Sequence, residues 1–346
     1  MGKYTTIDDP SAYFQVKTYT GTNNSNALTN DGNSDLQPDF IWIKRRNYNN
    51  GHQLLDSTRG VDKILGSELT SAETTLANRL SSFDTNGFTV ESSSGAYNAS
   101  GEPFVAWQWK ANGGTTSSNT AGSTTTTVQV NQDAGFSIVT YLGNGNAANQ
   151  TLGHGLGVAP DMIISKRRGA STDWLVYHKS LGVGSIIYLN SNVASSTTNP
   201  PYKDTPTSTV FSTQYEFQAT DNWVSYCFAE KQGYSKFGSY VGNGANSGPF
   251  ISTGFKPAFI ICKRSDSTGG WTINDNKRLG YNPKNEDLFA HLSDAETSDE
   301  RYDLLSNGFK VRTNNAVNNT SGGTYIYMAF AEHPFVTSTG IPTTAR

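Results

Sequence analysis

The chain has 346 residues, 35% of them hydrophobic and 16% charged, with a net charge of −3 and a pI near 6.0. That apolar content is low for one large enzyme core but suits small all-β units whose strands bury one face. No basic block marks a nucleic-acid face and no apolar run is long enough to span a bilayer, so neither partner is expected.

In chain order, the opening Met1-Gly2-Lys3-Tyr4-Thr5-Thr6 lacks the apolar core of a signal peptide, and synthesis in a cytoplasm is expected. Tyr19-Thr20-Gly21 then ends a strand, and Pro38-Asp39-Phe40-Ile41-Trp42-Ile43-Lys44 reads as a strand opened by proline, where a missing N–H does no harm. Its continuous apolar run predicts burial on both faces. His52 follows eight residues after Lys44. Residues 71–80 read as one short helix. Asn86-Gly87-Phe88-Thr89-Val90 carries a hairpin signal, and Trp109 closes a last strand 21 residues after Phe88. Residues 113–134 are rich in Gly, Ser and Thr and read as a linker, flexible or laid along a partner.

The same anchors then return twice. Tyr141-Leu142-Gly143 precedes Pro160-Asp161-Met162-Ile163-Ile164-Ser165-Lys166, with Trp174 eight residues on and Phe228 at the close. Tyr240-Val241-Gly242 precedes Pro257-Ala258-Phe259-Ile260-Ile261-Cys262-Lys263, with Trp271 eight residues on. Asn307-Gly308-Phe309 then leads to Phe330, again 21 residues after its Phe. The Tyr-to-Pro separations are 19, 19 and 17 residues, and the second copy departs at its end, with Phe211 just 17 residues before Phe228. Matched spacings of this kind signify an internal repeat. The expected architecture is all-β: three tandem antiparallel β-sandwich, jelly-roll-like modules at 1–112, 135–232 and 233–346, the last with a C-terminal tail. Ile41, Ile163 and Ile260 should occupy equivalent positions.

Asp133-Ala134-Gly135-Phe136-Ser137-Ile138-Val139-Thr140-Tyr141 and Gly153-His154-Gly155-Leu156-Gly157-Val158-Ala159-Pro160 resemble a domain of tailed-phage virion proteins, common in phages of marine bacteria. So do Tyr226-Cys227-Phe228-Ala229-Glu230, Gly233-Tyr234-Ser235-Lys236-Phe237-Gly238-Ser239-Tyr240 and Asn307-Gly308-Phe309. The resemblance covers nearly the whole chain. It implies a virion structural or tail-fibre component, facing other virion proteins and a host surface glycan or protein, and it supplies no active site.

Lys44, Lys166 and Lys263, with Arg45-Arg46, Arg167-Arg168 and Arg264 after them, read either as an anionic-glycan patch or as ion pairs with Asp39, Asp56, Asp161 or Asp275; pairing is expected. His52, His154, His178, His291 and His333 show no zinc spacing, and His154 is expected to pack under its own Gly153–Gly157 turn. Asp31-Gly32-Asn33-Ser34-Asp35 is oxygen-rich but reads as a turn rather than a calcium loop. Glu296, Asp299, Glu300 and Asp303 could pair as in a glycosidase, yet their run reads as solvated. Gly153-x-Gly155-x-Gly157 lacks a phosphate-loop spacing. Cys227 and Cys262 are expected to be buried thiols without a disulfide framework. Tyr48, Tyr97, Tyr202 and Tyr281 are expected in exposed loops, where rings can stack on sugars. No catalytic, metal or cofactor residues are assigned. Self-association, as a trimer, is expected because no heptad pattern, triple-stranded glycine repeat or membrane anchor is read that would concentrate the protein, which leaves lateral contacts on a particle.

Overall fold

In the computed structural model, residues 4–91, 94–145, 150–214, 217, 220–278, 282 and 285–343 are described. The chain is all-β, built from antiparallel sheets with a 3-10 turn at Pro10–Ala12 and a short helix at Ala316–Asn319. Three main sheets share one strand order. The first runs Phe14–Thr20, Pro103–Trp109, Phe40–Arg45, Gln53–Asp56. The second runs Phe136–Leu142, Asn222–Phe228, Met162–Arg167, Leu175–His178, and the third Ser235–Val241, Thr324–Pro334, Phe255–Arg264, Trp271–Asp275.

Register makes the correspondence residue-exact. Ile41 faces Gln108 and Leu55, Ile163 faces Cys227 and Tyr177, and Ile260 faces Ala329 and Asn274. The runs Phe40–Ile43, Met162–Ile164 and Ala258–Cys262 within these strands are apolar without a break because alternate residues enter different cores. Phe40, Trp42, Met162, Ile164, Phe259 and Ile261 point into one core shared by all three main sheets. Ile41 and Ile43, Ile163, and Ile260 and Cys262 point instead into three separate clusters. Each of those lies under a small sheet: Asn26–Thr29 with Gly87–Val90 and Leu80–Asp84, Gln150–Gly153 with Val210–Thr213, and Phe250–Ser252 with Gly308–Val311 and Tyr302–Leu305.

The aromatics that close the last strands meet at the centre. Trp109, Phe228 and Phe330 touch pairwise, with ring centroids 6.3, 5.7 and 6.0 Å apart. Ring pairs at such separations add to the large apolar area that each aromatic buries.

Several expectations change at the element level. Residues 71–80 form no helix: Thr74–Thr75 pairs with Lys63–Ile64, and Leu80 begins a strand. Two adjacent β-branched threonines favour extended backbone there. The stretch 113–134 is not a slack linker. Thr126–Asn131 adds to the outer edge of Phe136–Leu142, and Ser117–Asn119 adds beyond it. Its alternating Thr126, Val128 and Val130 supply a strand pattern inside a polar composition. Pro257 lies inside its strand, at a register shift rather than at the start, which is where a sheet tolerates a missing donor. Both Asn-Gly hairpins form, but Gly87 and Gly308 open the returning strands. A Cβ on either would sit 1.9 or 2.1 Å from the Leu28 or Ile251 carbonyl oxygen, so the glycines permit a close crossing of strands.

Candidate functional site

His52, Trp174 and Trp271, which stand eight residues after the repeated lysines, lie at the three seams where one main sheet's hairpin arm lies against the next sheet. Each main sheet with its small sheet and the cluster between them makes one set, and Trp174 Nε1–H donates to the Gly66 carbonyl, 2.8 Å, joining the second set to the first. Trp271 Nε1–H donates to the Tyr188 carbonyl, 2.8 Å, joining third to second. His52 closes the ring, with Nε2 3.0 Å from the Phe289 carbonyl. Trp42 Nε1–H donates to His52 Nδ1 at 2.7 Å, so Nδ1 is the acceptor and the proton stands on Nε2. Burial pushes His52 down to about 3, which keeps the ring neutral. The accepting residues are themselves equivalent: each follows the partner of Leu54, Val176 or Ile273. A backbone bond repeats in the same cycle, from Glu73 N–H to Arg168 O, Ser195 N–H to Ser265 O, and Glu296 N–H to Arg46 O.

Two seams carry matching charge networks. Between first and second sets, Arg59 pairs with Asp56 and Glu73, Arg168 pairs with Glu73, and Tyr226 donates its hydroxyl to Asp56. Between third and first, Arg278 pairs with Asp275 and Glu296, Arg46 pairs with Glu296, and Trp107 Nε1–H donates to Asp275. Burial pushes the Glu73 carboxyl up, but bonds and charge from Arg168 and Arg59 outweigh it and hold the group below its usual range. The third seam has His178, Leu181, Ser195 and Ser265 at the corresponding positions, and His178 Nε2 reaches the Tyr327 carbonyl instead. None of these four positions carries an Asp, Glu, Arg or Lys. The equal Asp56–Arg59 and Asp275–Arg278 spacings were the sequence signal for these networks.

The repeated lysines follow neither expected reading. Lys44, Lys166 and Lys263 have buried side chains whose ammonium groups bond to backbone carbonyls. All three reach the next residue's carbonyl, and Lys166 and Lys263 also cross a seam, to Thr70 and to Asn192 and Val193. Burial lowers each to about 8. The acids meant for them have other partners: Asp39 accepts from Ser57 and from the N–H groups of Ala111, Gly113 and Gly114, and Asp161 accepts from Glu230 N–H.

The remaining candidates scatter. His154 is buried under its turn, accepting from Leu156 N–H, with Nε2 against the Thr207 carbonyl. His291 and His333 are half-buried, His333 beside Glu332. Cys227 and Cys262 are buried free thiols, pushed up by burial. Asp31 pairs with Lys17 and Lys277, and Asp35 accepts from Asn86. Among the described residues no three or more His, Cys, Asp or Glu are grouped to hold a metal ion. The acidic run is only partly solvated, since Glu296 belongs to a seam while Asp299 pairs with Arg301 and Asp303 with Arg312. Tyr48 is exposed under the Arg45 guanidinium, but Tyr97 and Tyr202 are buried, their hydroxyls bonded to Gln53 and Ser165. Their Asn- and Pro-rich loops fold back over the outer clusters. Tyr281 lies outside the described residues. Outward, an open polar cleft of about 620 Å³ lies between Ser247, Asp299, Glu300 and Arg312.

A family model described as a domain of unknown function (DUF7483) matches residues 9–334 and runs without a break through all three main sheets. No curated protein and no solved structure matches the chain.

Proposed function

The chain belongs to the family described as a domain of unknown function (DUF7483), and we propose that it is a non-enzymatic structural protein of a phage virion exterior. Its duty on this reading is in a tail fibre or host-attachment part, and its body is three diverged copies of one β-sandwich module. The repeat reading is supported by the common strand order, the matched registers of Ile41, Ile163 and Ile260, and the cyclic seam bonds. The virion reading is supported by the resemblance of residues 133–164 and 226–240 to tailed-phage proteins. The observation that carries the structural role is that the charged groups at the seams are paired within their own set and also bonded across the seam, Asp56 to Tyr226, Glu73 to Arg168 and Glu296 to Arg46, while His52 and His178 reach backbone across it. Such groups hold a body together rather than meet a substrate.

Assembly with other virion proteins, and self-association on the particle, are proposed to use surfaces outside the seams, because each hairpin arm already lies against a neighbour in its own chain. Asn-, Ser- and Gly-rich loops outside the seams offer adaptable hydrogen bonds for a host glycan or protein. Purified protein should bind intact host cells or stripped envelope glycans, and particles lacking it should adsorb poorly. Normal adsorption by deficient particles, with no cell binding, would leave a head-decoration or tail-architectural role. The cleft beside Asp299 and Glu300 favours a second reading, a glycan depolymerase, which zymography on host envelope polysaccharide would reveal as clearing.

A further inference from the structure

Of the three seams, one has its groove filled by the chain itself. Strand Thr126–Asn131 lies on the edge of Phe136–Leu142 and places Gln129 opposite Ile138. The Gln129 amide then bridges to the first set: its Nε2–H groups donate to Ser57 Oγ and Thr58 Oγ1, and its Oε1 accepts from the N–H groups of Asn112 and Gly114.

At the seam between third and first sets no strand among the described residues takes the corresponding place. Phe14–Thr20 pairs with Pro103–Trp109 alone and ends its sheet. Val16 is the counterpart of Ile138, and Asn276 and Lys277 are the counterparts of Ser57 and Thr58. Between them lies an open cavity of about 150 Å³, with Phe14, Val16 and Ala258 as its apolar wall and Asp31, Asn276 and Lys277 at its polar side. Ala258 stands where the first and second sets have Asp39 and Asp161, so the cavity also lacks the carboxylate present at both other seams. Asn276 Oδ1 is buried with no hydrogen-bond partner among the described residues, whereas Ser57 Oγ at the same place accepts from Gln129. An orphaned buried acceptor calls for a donor that the chain does not supply.

We propose that this cavity receives the glutamine side chain of an extended, Thr/Val-rich peptide segment of another protein. The segment lies against the Phe14–Thr20 edge as Thr126–Asn131 lies against its own. The guest amide donates to Asn276 Oδ1, and its strand supplies main-chain partners to the edge, the usual mode of strand addition. Asp31, exposed and bound to Lys17 and Lys277, forms the rim that the guest must move aside. This inference does not depend on host attachment, because it needs only the isolated chain.

The probe is a fluorescein-labelled peptide of residues 125–131, Thr-Thr-Thr-Val-Gln-Val-Asn, titrated by anisotropy into the full-length protein. Saturable one-to-one binding is expected, weakened at least tenfold when leucine replaces the peptide glutamine. The N276L protein should lose that binding, and N276S, which restores the acceptor found at position 57, should keep it. Binding to N276L equal to wild type would place the peptide elsewhere, for instance at the edge already occupied by its own strand, and would overturn the proposal. So would no binding, equal affinity for the leucine peptide, or binding of N-acetylglucosamine without binding of the glutamine peptide. Asn276 is partly exposed, and near-UV circular dichroism of each variant shows whether the fold is intact.

Discussion

At the residue scale, neutral histidines are joints of this protein. His52 and His178 are buried and bonded across seams, His154 is buried within its own set, and burial holds the three at about 3, 4 and 4. Their folded values lie below the ordinary 6.5, so between those limits the unfolded chain binds protons that the folded chain refuses. Stability must therefore fall as pH drops from about 6.5 toward 4, by up to about 1.4 kcal/mol per pH unit for each histidine. Urea midpoints at pH 7, 6 and 5 should decline steadily, and H52Q should flatten the slope; a pH-independent midpoint would contradict the assignment. The lysines act on the alkaline side. With folded values near 8 against 10.5, Lys44, Lys166 and Lys263 are more easily deprotonated when folded, and their contribution to stability rises between pH 8 and 10.5. Substitution of Lys263 by Met should remove part of that rise. The turn-packed His154 was legible in sequence, but the lysine bonds were not: a lysine after an apolar strand reads as one half of an ion pair, and some of the carbonyls that receive it belong to loops up to 96 residues away.

At the element scale, sequence revealed the anchors but not what lay opposite them. The apolar runs from Phe40, Met162 and Phe259 correctly announced strands buried on both faces. Period-two reading cannot say that one face belongs to a private cluster and the other to a core common to the whole chain. The stretch 113–134 was misread for a related reason: its composition is that of a linker, and only the pairing of Thr126–Asn131 with Phe136–Leu142 makes it a strand. Gln129 is the side chain that fixes this strand to the first set, through four bonds. Replacing it with Leu leaves the N–H groups of Asn112 and Gly114 without this acceptor and should cost about 1–3 kcal/mol by chemical denaturation. A loss below about 0.5 kcal/mol would mean the strand is seated by its backbone alone. G87A should destabilise by more than about 1 kcal/mol, since it combines positive φ with the Leu28 carbonyl contact.

At the scale of the whole molecule, the seams differ in chemistry while keeping one geometry. Glu73 and Ser195 occupy the same place in two of them, each donating its N–H to the neighbouring set. E73Q weakens the clamp on the buried Arg59 and should cost roughly 3 kcal/mol, whereas S195A loses one neutral bond and should cost about 1 kcal/mol. Comparable losses at both sites would contradict the contrast between charged and neutral seams. The centre is a shared aromatic contact of Trp109, Phe228 and Phe330, so no set completes its inner face without the other two. The central claim is therefore that the three sets are one cooperative body. Calorimetric unfolding of the full chain tests it most directly. The account predicts a single transition with equal calorimetric and van't Hoff enthalpies, shifted as a whole to lower temperature by F330A. Separate transitions, with F330A moving only one of them, would contradict it.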